Sequence, residues 1–112
     1  MADTISFELI KTQYFFLDLN LQKLLDACTN QNQRNEVFRD YITARDNFHE
    51  AQNRIFAEND PLVAQLIEDL KTAQGKIEDM TNNLQNIAKT LNVITAGVRL
   101  ASSLIVLGSS FA

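Results

Sequence analysis

The sequence predicts an all-α protein: an antiparallel helical bundle or hairpin of two or three helices, with one long heptad-patterned C-terminal helix through which it is oligomeric. Three observations lead there. The 112 residues include only three glycines and one proline, far less turn chemistry than an all-β fold requires. Apolar residues recur at 3-4 spacing along most of the chain, the period of a helix face. The 46% apolar share is ordinary for a folded protein, and the length is that of one domain, able to bury about two thirds of its unfolded surface. Residues 1–112 therefore read as a single helical domain with helices at about 3–28, 35–58 and 61–107.

The first helix carries the heptad run Phe7, Ile10, Tyr14, Leu17, Leu21, Leu24 and Cys28. On its other side stand Ile5, Leu9, Phe16 and Leu19, with Phe15 beside them. A helix apolar on two faces is buried between neighbours or touches something outside its own chain. A polar stretch, Thr29-Asn-Gln-Asn-Gln-Arg-Asn-Glu36, follows, rich in asparagine, a poor helix former. The second run is Val37, Tyr41, Ala44, Phe48, Ala51 and Ile55. Cys28 and Tyr41 are thirteen residues apart where the heptad needs fourteen, so on one straight helix the two stripes would face directions about 140° apart. A loop at the polar stretch gives three helices, the preferred reading; an exposed helical turn there gives a two-helix hairpin.

Glu58-Asn-Asp-Pro61 is the clearest boundary. Asp60 has the side chain of an N-cap, and Pro61 suits the first helical position, where its missing N–H would be unpaired anyway. Beyond it one seam runs without a slip: Val63, Leu66, Leu70, Ala73, Ile77, Met80, Leu84, Ile87, Leu91, Ile94, Val98, Ala101 and Ile105. Such a seam marks a long helix in a coiled coil or bundle. As far as Asn92 its outer side is polar and includes Gly75, a soft spot costing ~1 kcal/mol relative to Ala. After Asn92 the outer side turns apolar as well, through Val93, Ala96, Leu100, Val106 and Leu107, while Thr95, Arg99 and Ser102 form one narrow polar line.

A third helix of ~70 Å would overhang partners of ~35–40 Å at 1.5 Å per residue. An overhang this apolar needs cover. Val93, Ile94, Gly97, Val98, Leu100, Ala101, Leu104, Ile105 and Leu107 are therefore the expected interface residues, with a second copy of the chain as the expected partner. Another protein is an alternative partner. The competing reading places the apolar segment 93–112 in a bilayer. Its length suffices, but Arg99 costs ~2.5–3.5 kcal/mol near a bilayer centre, and flanking basic and aromatic anchors are missing. The general plan, a helical hairpin with a Pro-containing bend and an apolar C-terminal half, resembles secretion-system filament subunits and helical toxins. That likeness implies a membrane-active subunit of pore-forming or translocator type.

The 14 acidic and 10 basic residues alternate with no basic block, which argues against a nucleic-acid partner. One cysteine cannot form an internal disulfide, and the start, Met-Ala-Asp-Thr-Ile-Ser-Phe-Glu, lacks the basic n-region of a secretory signal. A cytoplasmic protein is expected, with leaderless secretion or membrane association as the other routes. His49 follows Asp46 at a spacing that shares a helix face, but one histidine cannot supply a bundle metal site. Cys28, Tyr14 and Tyr41 sit at seam positions and read as core. Gly75, Gly97 and Gly108 stand alone, so no phosphate-binding loop is present. No catalytic, cofactor or metal residue is expected, and the reading is a non-enzymatic helical module that self-associates.

Overall fold

A computed structural model of the chain describes residues 4–111. It is mostly helical, with four helices: α1 Ile5–Ala27, α2 Gln31–Ala51, α3 Pro61–Asn82 and α4 Ile87–Gly108. Two short strands, β1 Arg54–Phe56 and β2 Ser109–Phe111, pair antiparallel with Ile55 opposite Ser110. Around the bundle α1 packs on α2, α2 on α4, α4 on α3 and α3 on α1.

Each helix start is capped by a nearby side chain. Thr4 accepts from the Phe7 N–H at 3.0 Å. Asn30 accepts from the Gln33 N–H at 2.9 Å, and Gln33 Oε1 accepts in return from the Thr29 N–H at 2.7 Å. Asp60 accepts from the N–H groups of Leu62 and Val63, with Pro61 in the first turn. Asn86 accepts from the Lys89 N–H at 3.1 Å. These caps satisfy amides that have no partner inside their own helix.

The structure departs from the sequence reading in four places, and the caps at Asn30 and Asn86 account for two of them. The asparagine-rich stretch is chiefly the first turn of α2, which begins at residue 31 rather than 35 because Asn30 caps it. The same helix ends at Ala51 rather than near 58, and Arg54–Phe56 becomes a strand held by β2 and by an Ala57 N–H to Gly108 carbonyl bond of 2.9 Å. The helix expected over 61–107 is two helices, broken at 83–86, where Asn83 closes α3 and Asn86 opens α4. The bundle therefore has four helices rather than two or three, and its longest dimension is 41 Å. No ~70 Å rod and no overhang exist, because α4 folds back along α3. The expected helix start at residue 3 and the last residue of the 93–112 segment lie outside the described residues.

The core has two clusters. Near the sheet lie Ile10, Phe56, Val63, Leu70, Ala101, Leu104 and Ile105; towards the α3–α4 turn lie Leu17, Leu24, Val37, Ala44, Ile77, Leu91, Ile94 and Val98. Between them in sequence on α1 and α3 come Gln13 and Gln74, both buried. On α3 the buried positions are Val63, Ile67, Leu70, Gln74, Ile77 and Thr81. Leu66, Ala73 and Met80 from the expected seam are only half-buried. The helix is rolled so that this row forms an edge beside α4 rather than the centre of the core.

Candidate functional site

The interface residues expected from sequence all lie on or beside α4, and the structure divides them. Ile94, Gly97, Val98, Ala101, Leu104 and Ile105 are buried against the other helices of their own chain. Gly97 packs closely against α3: a Cβ built there would stand 2.6 Å from Ile77 Cδ1 and 3.3 Å from Gln13 Nε2 on α1. Val93 and Leu100 are half-buried, and Leu107 is 73% exposed. Only these last three retain surface for another molecule.

The narrow polar line of α4 faces α2. Thr95 Oγ1 lies 2.9 Å from Glu36 Oε2 and 2.6 Å from Asp40 Oδ2. About two turns along, Asn47 Nδ2 donates to Ser102 Oγ at 3.1 Å. Asp40 is buried, and that burial pushes its carboxyl from 3.8 up to about 6, with Glu36 adding to the rise and the Thr95 hydroxyl, Arg39 and Arg99 opposing it. Thr95 has one proton and two carboxylate neighbours. Its second contact is favourable when a carboxyl proton points into it, which agrees with the upward shift of Asp40. The line of Thr95, Arg99 and Ser102 was visible in sequence; its mates Glu36, Asp40 and Asn47 were not, since nothing in α2 marks which helix they meet.

On its other flank α4 meets α3 along an open groove of about 380 Å³, lined by Asp69, Thr72, Ala73, Lys76, Asn92, Val93, Ala96 and Leu100. The floor is apolar and small. The rim on α3 is charged: Asp69 accepts from Gln65 Nε2 at 2.9 Å, and Lys76 makes no ion pair among the described residues. α4 is also, among the described residues, the one helix long and apolar enough to cross a membrane, with mean hydropathy 1.6 and 44% of that stretch buried.

A second exposed surface covers α1 and α2. Tyr14 stacks on Phe48 at 5.5 Å, Phe15 meets Phe48 at 5.3 Å, and Tyr14 meets Tyr41 at 5.8 Å. The Tyr41 hydroxyl donates to Asp18 at 2.7 Å, and this bond, with Tyr14 close by, raises the Tyr41 hydroxyl above its usual range. Phe15 is 49% and Leu19 83% exposed. Leu9 and Phe16, also on the second apolar side of α1, pack against the core clusters.

Cys28 is buried, its thiol donates to the Leu24 carbonyl at 3.2 Å, and desolvation raises its thiol above the ordinary value. Asp46, His49, Glu50 and Asn53 line an open hollow on α2 and the segment after it. Among the described residues no group of three or more His, Cys, Asp or Glu side chains could hold a metal ion. No protein family, curated protein or solved structure matches this chain.

Proposed function

We propose that the protein is a non-enzymatic helical interaction module that self-associates through the outer face of its α3–α4 pair. The observation that carries this reading is the unmated apolar groove. Ala73, Val93, Ala96 and Leu100 present small and apolar side chains to an open channel, and the half-buried Leu66 and Met80 continue the heptad row of Ala73 on α3 beyond it. Apolar surface beside small residues lets a second helical layer approach closely, which is how helical bundles gain affinity. The reading narrows the interface expected from sequence to Val93, Leu100 and Leu107 and adds Ala73 and Ala96.

The test is light scattering or sedimentation of the intact chain in detergent-free buffer. We expect a mass above the 12.7 kDa of one chain, lowered to that of the monomer by Leu100→Glu. A wild-type chain that stays monomeric at every concentration refutes the proposal. The length and apolarity of α4 favour one rival, insertion into a bilayer. For that to occur Thr95 and Ser102 must leave Asp40, Glu36 and Asn47, so the rival predicts loss of bundle packing on contact with lipid. Co-flotation of the chain with liposomes, accompanied by dye leakage, would support it.

A further inference from the structure

We propose that the second copy docks antiparallel on the α3–α4 groove about a two-fold axis that crosses the helices at Ala73 and Leu100, with Asp69 of each chain against Lys76 of the other. The inference rests on the self-association reading and adds its geometry. Its first support is the order of residues on the α3 side of the groove, where Asp69, Ala73 and Lys76 line it. Leu66 and Met80 continue that row beyond its two ends, so the sequence order is apolar, acidic, small, basic, apolar. Turned end for end, the row presents apolar to apolar and acid to base. On α4 the row Val93, Ala96, Leu100, Ser103, Leu107 alternates large and small, and reads the same in both directions.

The second support is that the two centres coincide. Gly97 lies level with Ala73 and Ile77, and Gly108 level with Val63, so in these antiparallel helices Ala73 and Leu100 stand at nearly the same height. One axis therefore serves both rows, as an isologous interface requires. Asp69 and Lys76 are seven residues apart, about 10 Å along the helix, too far to pair within one chain. Across this axis each meets its opposite. The other face-to-face arrangement, with the axis parallel to the helices, sets α3 against α4 of the partner. It brings Lys76 to the level of Ala96 and leaves both charges without a mate, so complementarity selects the first.

The experiment uses sedimentation of the full chain with three variants, folding being checked by far-UV circular dichroism. Asp69 and Lys76 are exposed, so their replacement leaves the bundle intact. Asp69→Lys should weaken the dimer about tenfold by setting like charges together, and Asp69→Lys/Lys76→Asp should restore it to within about threefold of wild type. A Cys28→Ser/Leu100→Cys chain should cross-link to itself on mild oxidation, since of the two arrangements this one sets position 100 against its own copy. A wild-type monomer, whether or not it binds vesicles, overturns both this inference and the self-association beneath it. A wild-type dimer that ignores Asp69→Lys, is not restored by the swap, or leaves position 100 uncrosslinked overturns the inference alone.

Discussion

α4 has two flanks built from different chemistry. Towards α2 it offers hydroxyls, each given a named mate: Thr95 to Glu36 and Asp40, Ser102 to Asn47. Towards α3 it offers glycine, alanine and aliphatic side chains, with Gly97 against Ile77 and with Val93, Ala96 and Leu100 along an open groove. The difference decides what each flank can still do. Hydrogen bonds are directional and saturate, so the α2 flank is complete inside one chain. Apolar contact is not directional, so a flank covered on one side can be extended by any surface of matching shape.

The sharpest way to break this division is a pair of substitutions one turn apart. Leu104 is fully buried in the cluster near the sheet, and Leu104→Glu puts an unpaired carboxylate there. We expect a loss of more than about 4 kcal/mol, a large part of the total stability of a domain of this size. Leu100→Glu faces the groove and should cost about 1 kcal/mol in urea unfolding while removing self-association. Equal losses of stability at the two positions would show that the outer flank is core after all.

Gly97→Val tests the close approach of α3 and α4. The added side chain would overlap Ile77 Cδ1 and crowd the Gln13 amide. The expected cost is about 2–3 kcal/mol, read as a lower urea midpoint with the slope unchanged.

Asp40→Asn tests the polar flank. The folded state holds the Asp40 proton up to about pH 6, against 3.8 for the free side chain. Because the folded state binds more protons between those values, stability is full below pH 3.8 and falls as pH rises through 6. Asparagine keeps an acceptor for Thr95 and removes the charge that burial and Glu36 oppose. Asp40→Asn should stabilise the fold by about 2 kcal/mol at pH 7.5 and flatten this contribution between pH 4 and 6. Unfolding curves for both proteins at several pH values give the comparison; a variant less stable than wild type at pH 7.5 would mean that the charge is stabilised by Arg39 and Arg99.

Much of the fold was legible because helix periodicity and capping are local. The start at Pro61, the buried row of α4 and the polar line through Thr95 and Ser102 all follow from residues close in sequence. The break at 83–86 was hidden because Leu84 and Ile87 continue the 3-4 spacing across it, so the seam alone cannot distinguish one helix from two. The only signal was the density of asparagine at Asn82, Asn83 and Asn86, which fits caps better than a helix interior. β1 was hidden in the same way, since Ile55 extends the heptad of α2. At the candidate site, Val93 and Leu100 were legible as apolar positions. Their place on the outer side was legible too, but not that α3 flanks that side, since this depends on where α2 and α3 pack.

The smallest effect concerns Gly75, which shares α3 with Ile77 but belongs to neither flank. A Cβ built at Gly75 meets nothing within 4 Å, and no described residue has a positive φ that would require glycine. Gly75→Ala therefore adds helix propensity and restricts the unfolded chain without a steric cost, and should stabilise the bundle by about 0.5–1 kcal/mol. Self-association should be unchanged, because the groove lies along Asp69, Ala73 and Lys76, on another side of the helix. Opposite signs for Gly75→Ala and Gly97→Val in the same unfolding assay would locate the close approach on the α4 side of the pair. A destabilising Gly75→Ala, or one that weakens the oligomer, would mean that the back of α3 is also covered, and that the partner surface extends beyond the groove.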